Sequence, residues 1–270
     1  MEIFLIYLLL LVVGCIVGFT TGALGLGGGF LMVPILIYLF QNLGISDDYV
    51  VAMAVGTSLS VIFLTSLNSA YSHSKFGNII WKYSLLLGFS GIMGTFVGVQ
   101  IVTKYLSGDL HRMLFGIMLI ILSLNMALSK SDPKLENSQE IKYLPVIFCG
   151  FLIGILSSMF GIGGGTIAIP ILTIFLKTPI KKSIGTSLGM MVIISLSGSL
   201  GYFTNSVAIP QAYNYLNFIG YVSLTSVLSI GVMSIIFSRY GAKLSNRINA
   251  GLLKKFFGII LMFVGLTMII

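Results

Sequence analysis

Carboxylates are scarce in this chain and absent from its apolar stretches. Of 270 residues, seven are Asp or Glu, and Glu2, Asp47, Asp48, Asp109, Asp132, Glu136 and Glu140 all fall at ends or between apolar runs. A cation pump or a carboxylate proton relay needs an acid inside the membrane, and the sequence supplies none. There are only two cysteines, Cys15 and Cys149, each within an apolar segment, so neither a disulfide framework nor a zinc site is indicated. There are two histidines, no HExxH and no GxSG placed where a nucleophile would need it, which argues against an intramembrane enzyme. The longest polar interval is the fourteen residues from Ser129 to Lys142. That is a linker, so the 15 Lys and Arg do not signal a nucleic-acid partner.

What remains is 57% hydrophobic and 8% charged, with a mean hydropathy of +1.07. Apolar runs longer than the roughly 20 residues that span a bilayer recur along the chain, which predicts an all-α, polytopic membrane protein. Ten segments are expected, near 3–22, 30–41, 49–72, 79–103, 110–129, 143–160, 166–177, 183–204, 214–238 and 252–270.

The chain is one unit used twice. Gly14–Leu36 aligns without a gap on Gly150–Leu172 with nine of 23 positions identical, including six glycines and the Pro-Ile-Leu that follows. A second block, GTSL, stands at Gly56–Leu59 and again at Gly185–Leu188. Such self-similarity marks an internal repeat. The expected units are a first membrane repeat at 1–129, a cytoplasmic linker at 130–142 and a second repeat at 143–270. Five segments per copy is an odd number, so the second copy should enter the membrane from the opposite face. With both termini outside, 13 Lys and Arg fall in inner loops, while outer loops hold only Lys104 and Arg112. That is the asymmetry expected of a multi-pass protein in the plasma membrane.

Segments two and seven are too short to cross. The chain is therefore expected to turn inside the membrane at Gly25, Gly27, Gly28 and Gly29, and again at Gly161, Gly163, Gly164 and Gly165. Irregular backbone at that depth is tolerated only where protein or a wet cavity encloses it. Clustered glycines admit positive φ and close approach of a ligand, and the helix that follows starts with unpaired N–H groups that attract anions. Gly14, Gly18 and Gly22 instead have the four-residue spacing of a helix-packing face. Pro34 and Pro170 lie too far along to be first-turn residues and are expected to kink the short helices.

Hydroxyl and amide groups at Thr57, Ser58 and Asn68, and at Thr186, Ser187 and Ser197, are candidate donors to a bound anion. Helix-internal bonding is the competing use for each. His73 and Lys75 are a candidate gate or anion attractor. No residue pattern calls for a metal or a cofactor. The compatible partners are a small anionic substrate, the bilayer, a coupling proton or ion, and a second copy in a homodimer. A membrane scaffold without transport is the alternative reading.

Duplicated GxGGGxxxxP blocks, each followed by a GTS step in a five-plus-five chain, resemble the sulfite exporter TauE/SafE family, also called the toluene sulfonate uptake permease family. The likeness covers essentially the whole chain. It implies an integral membrane transporter for sulfite, sulfonates or related organic anions, working without a bound cofactor. The GLGGG and GIGGG tips, both GTS steps, and His73 followed by Gly77 and Asn78 carry it. At the position of His73 the second half reads Tyr202, a departure from the pattern.

Overall fold

The computed structural model describes residues 2–106, 108–128, 143–205, 216–245 and 250–269. Within them the first copy folds as α1 (Glu2–Leu24), α2 (Gly29–Asn42), α3 (Asp47–Lys75), α4 (Trp81–Lys104) and α5 (Gly108–Leu128). The second folds as α6 (Tyr143–Phe160), α7 (Gly165–Pro170), α8 (Ile180–Thr204), α9 (Leu224–Ser245) and α10 (Ala250–Ile269). Six of these, α1, α3, α4, α6, α8 and α9, are long and apolar enough to cross a membrane, and α2 is a shorter apolar helix. The chain is an all-α, multi-pass membrane protein. The expected linker, 130–142, lies outside the described residues.

Local chemistry sets the element boundaries. Ser46 caps α3 through its hydroxyl, which accepts from the Asp48 N–H at 3.4 Å, and Asp47 and Asp48 face the positive end of the helix while Lys75 sits at the negative end. Pro170 ends regular α-helix: the next five residues, Ile171–Phe175, form a π-helical turn. Its ring removes a donor and crowds the preceding turn, so the hydrogen-bond register slips. Pro34 lies within α2, which stays α-helical from Gly29 to Asn42.

One expected boundary is corrected. From Leu216, the first described residue of the run expected at 214–238, the chain does not enter α-helix directly. Strands β1 (Phe218–Ile219) and β2 (Val222–Ser223) pair antiparallel first, and α9 starts at Leu224. Asn217 and Gly220 both have positive φ, 46° and 56°, which reverses the chain too tightly for a helix. The donors released by that turn are used elsewhere: Tyr221 N–H reaches Tyr202 O at 3.1 Å, and Ser223 N–H reaches Thr57 Oγ1 at 3.1 Å.

Residue order along the packed faces gives the helix directions. Gly14, Gly18 and Gly22 of α1 lie on Ile230, Ser234 and Ser238 of α9, ascending together, so the two helices are parallel. Thr65 bonds Ser234 at 2.6 Å and Asn68 bonds Ser238 at 2.8 Å, so α3 is parallel to them both. In the same way Gly94 and Gly98 of α4 meet Phe151 and Ile155 of α6, and Gly88 and Gly201 pair α4 with α8 through Ile193 and Val99. Two parallel three-helix bundles result, α1–α3–α9 and α4–α6–α8.

Between them the order reverses: Gly56 meets Tyr202, while Ser60 meets Ser199. The bundles are antiparallel across the α3–α8 contact. Each bundle borrows one helix from the other copy, and the counterparts α1 and α6, α3 and α8, and α4 and α9 run in opposite directions. The glycines at these crossings allow backbones to approach closely, the usual means of attraction where lipid removes any hydrophobic drive. Antiparallel α5 and α10 pair beside them, with Ser123 donating to Gly258 O at 2.6 Å.

Candidate functional site

Two glycine turns meet where the bundles meet. Gly25, Gly27 and Gly28 have φ of 67°, 86° and 68°, and Gly161, Gly163 and Gly164 have 65°, 71° and 81°. These are left-handed conformations that a side chain would strain, so the glycines are required by the path of the chain. All of them are buried. The turns also interlock. A Cβ on Gly29 would overlap Gly161 O, one on Gly165 would overlap Gly25 O, and one on Gly27 would come within 2.5 Å of Ile162 O.

The GTS steps hold this junction, each from the opposite bundle. Ser58 Oγ on α3 donates to Gly161 O at 2.6 Å. Ser187 Oγ on α8 lies 3.1 Å from Gly25 O and 2.8 Å from Ile184 O, sharing one hydrogen between them. The adjacent threonines work within their bundles. Thr57 Oγ1 accepts from Ser223 N–H just before α9, and Thr186 Oγ1 accepts from Ile80 N–H just before α4, at 2.9 Å. Each threonine thus satisfies a donor at the entry to a helix, where no intrahelical acceptor exists. Gly56 and Gly185 leave room for Tyr202 and for the Asn78 backbone.

A second correspondence was hidden by a change of residue type. His73 Nε2 lies 2.9 Å from Gly22 O, and Tyr202 Oη donates to Ser158 O at 2.9 Å. Both carbonyls precede the first turn glycine by three residues. A carbonyl only accepts, so His73 carries its hydrogen on Nε2. Its Nδ1 is buried without a partner.

The remaining sequence candidates lie elsewhere. Asn68 is tied to α9, donating to Ile235 O at 2.7 Å and Ser238 Oγ at 2.8 Å and accepting from Arg239 Nε at 3.1 Å. Ser197 Oγ donates within α8 to Ile194 O at 2.9 Å. Lys75 stands with its Nζ 4.3 Å from the centre of the Tyr71 ring, in a cleft at the end of α3 whose lining includes none of the turn glycines. Sequence reasoning overlooked Ser157 and Thr166, whose hydroxyls are buried and unpartnered on either side of the second turn. Ser157 packs beside Gly164, with the position a Cβ there would take 3.6 Å from its own Cβ. A polar side chain within four residues of the glycine cluster was the available signal. Among the described residues the acids stand at helix starts, Glu2 at that of α1, Asp47 and Asp48 in the first turn of α3 and Asp109 in that of α5, and no group of three metal-ligating side chains is present.

Paired buried glycine turns clasped between antiparallel bundles define a polytopic membrane protein of duplicated build. Residues 10–268 match the family described as sulfite exporter TauE/SafE. The chain belongs to that family. It is 36% identical to a probable membrane transporter protein of Methanocaldococcus jannaschii over 100% of this chain and 97% of that protein. It is 31% identical to a probable membrane transporter protein of Haemophilus influenzae over 98% of each, and 30% identical to one of Bacillus subtilis over 93% of this chain and 94% of that protein. No solved structure matches.

Proposed function

We propose that this chain is a secondary transporter of small anions, with sulfite, sulfonates or related sulfur-containing organic anions as its substrates. It works by alternating access of two inverted repeats, and the anion passes between the glycine turns. The carrying observation is the reciprocal clasp of Ser58 on Gly161 O and Ser187 on Gly25 O. A bare carbonyl would repel an anion. With those oxygens occupied by hydroxyl hydrogens, the turns offer the positive ends of their peptide dipoles, the concave amide arrangement that binds anions. Ser157 and Thr166 add two uncommitted hydroxyls at the second turn. The lack of carboxylates there removes the charge that would oppose an anion.

In this reading the moving bodies are the bundles α1–α3–α9 and α4–α6–α8, not the sequence halves. The threonine bonds and the His73 and Tyr202 bonds lie inside bundles and persist; the serine clasp and the Ser60–Ser199 pair cross between them and break as access alternates. The Lys75 end of α3 faces the cytoplasm and both termini face outward in the plasma membrane, in accord with the distribution of Lys and Arg. Export runs with the membrane potential at about 2.3 kcal/mol per charge per 100 mV, whereas uptake draws on a coupled proton or ion.

The test is flux in proteoliposomes holding the full chain, with sulfite, thiosulfate, sulfoacetate, taurine and acetate, with and without a pH gradient. Movement of one or more of the sulfur anions, lost in Gly29→Ala, is the expected result. Inserted protein that carries none of them above empty vesicles would overturn the assignment.

A further inference from the structure

At the C-terminal ends of α3 and α9 lies a cleft of about 360 Å³ lined by Tyr71, Ser72, Lys75, Phe76, Arg239 and Lys243. Three of the six are cations and none is an acid. The guanidinium is held in place, because Arg239 Nε donates to Asn68 Oδ1 at 3.1 Å. Lys75 is steadied over the Tyr71 ring. A second hollow of about 450 Å³ continues from Arg239 and Lys243 along Ile235, Ile236 and Tyr240.

The surface leading to this cleft is apolar. On α9 the exposed residues Leu228, Val232, Ile236 and Tyr240 follow one another at four-residue spacing, a single stripe facing outward. On α3, Leu67 and Tyr71 are exposed on the same spacing, two turns and one turn before Lys75. Because α3 and α9 are parallel, both stripes run toward the same membrane face and end in cations.

We propose that this cleft binds an anionic glycerophospholipid, its phosphate between Lys75, Arg239 and Lys243 and an acyl chain along the α9 stripe. A hydrophilic ion would use the cations and gain nothing from the apolar approach; a zwitterionic lipid would use the stripe and carry no net charge to the cluster. Only a ligand with both properties matches both features. The leaflet follows from the orientation proposed above, in which these ends face the cytoplasm, where anionic lipid attracts juxtamembrane cations. The binding chemistry itself does not depend on that orientation.

The purified full chain in neutral detergent tests this by native mass spectrometry with phosphatidylglycerol, phosphatidylcholine and soluble glycerol phosphate as probes. Wild type is expected to retain phosphatidylglycerol over phosphatidylcholine by about tenfold or more, from roughly a fivefold gain per cation at a membrane surface. The double variant Lys75→Gln/Lys243→Gln is expected to lose the difference, and Lys104→Gln at the other membrane face to keep it. Equal retention of the two lipids by wild type overturns the proposal, as does undiminished preference in the folded double variant. Displacement of the lipid by an equal concentration of glycerol phosphate also overturns it, reassigning the cleft to soluble anions. These wild-type comparisons decide the matter even where the double variant does not fold, and none of them depends on transport.

Discussion

Ser58 donates its hydroxyl hydrogen to the carbonyl of Gly161, 103 residues away, at 2.6 Å. Donor and acceptor belong to different copies and to different bundles, so this bond reports whether the two glycine turns are together. Its counterpart from Ser187 to Gly25 O is longer, at 3.1 Å, and divided with a carbonyl of its own helix. The two ends of the clasp are chemically alike and unequal in strength.

That inequality makes a prediction about serine removal. Ser58→Ala leaves a buried carbonyl with its tightest cross-bundle donor gone, at a cost of about 1–3 kcal/mol. Ser187→Ala removes a shared hydrogen and costs less. The thermal midpoint in detergent is expected to fall more for Ser58→Ala, and anion flux to change more as well. Equal effects, or a larger one at position 187, would contradict the unequal clasp.

Ser60 and Ser199 face each other across the bundle contact with their hydroxyl oxygens 2.6 Å apart. Two C–O bonds and that contact hold the Cβ atoms no more than about 5.4 Å apart, against the roughly 3.5–4.5 Å that a disulfide spans, so a small shift suffices to link them. In a chain with Cys15 and Cys149 replaced by Ala, the pair Ser60→Cys/Ser199→Cys is expected to oxidise and stop transport, and a thiol reductant to restore it. Full activity in the oxidised, cross-linked protein would mean that the bundles do not separate there.

Glycine substitutions distinguish backbone conformation from close approach. Gly29 has no positive φ, yet a Cβ on it would overlap Gly161 O; Gly77 has φ of 66° with nothing within 4 Å of a Cβ. Gly77→Ala should cost about 1 kcal/mol of backbone strain and leave flux near wild type. Gly29→Ala should insert in the membrane and lose most of the flux, because the interlocked turns must part to admit the methyl group. Flux assays alongside size-exclusion profiles of both variants measure the two effects separately.

The proposed orientation has its own check. Asp48 and Lys181 are both exposed and stand at the starts of α3 and α8, which are antiparallel. Single cysteines at these positions in a cysteine-free chain should react with an impermeant thiol reagent from opposite faces of right-side-out vesicles. Labelling of both from one face would refute the inverted arrangement.

The sequence made some of this legible and hid the rest for physical reasons. Apolar runs and glycine clusters obey local rules of length and backbone conformation, so the helices near 30–41 and 143–160 and the turns at Gly25 and Gly161 could be read from one chain. The hairpin before α9 could not, because Phe218, Ile219 and Val222 are as apolar as helix residues and only Asn217 and Gly220 interrupt them. The borrowing of α4 and α9 between bundles is a matter of topology, on which residue composition is silent. The expected donors divided by register. Ser58 and Ser187 reach the junction, whereas Thr57 and Thr186 accept from backbone N–H groups inside their own bundles and Asn68 and Ser197 bond other partners. Tyr202 reads as a departure at the position of His73 because imidazole and phenol look unlike in a sequence, although each can place one N–H or O–H donor on a buried carbonyl.

That equivalence yields the last prediction. His73 to Gly22 O and Tyr202 to Ser158 O each tie the end of the helix before a glycine turn to a long neighbour within one bundle, and both bonds are 2.9 Å. His73→Phe and Tyr202→Phe keep an aromatic ring of similar bulk and delete the donor, for about 1–2 kcal/mol each. The two sites lie in different bundles and share no partner, so their effects on the thermal midpoint should add in the double variant. Flux per folded molecule should be reduced far less than in Ser58→Ala, because these bonds do not break as the bundles separate. A strong non-additive loss, or transport abolished in well-folded Tyr202→Phe, would place the latches in the transport cycle itself rather than in the rigid bodies that it moves.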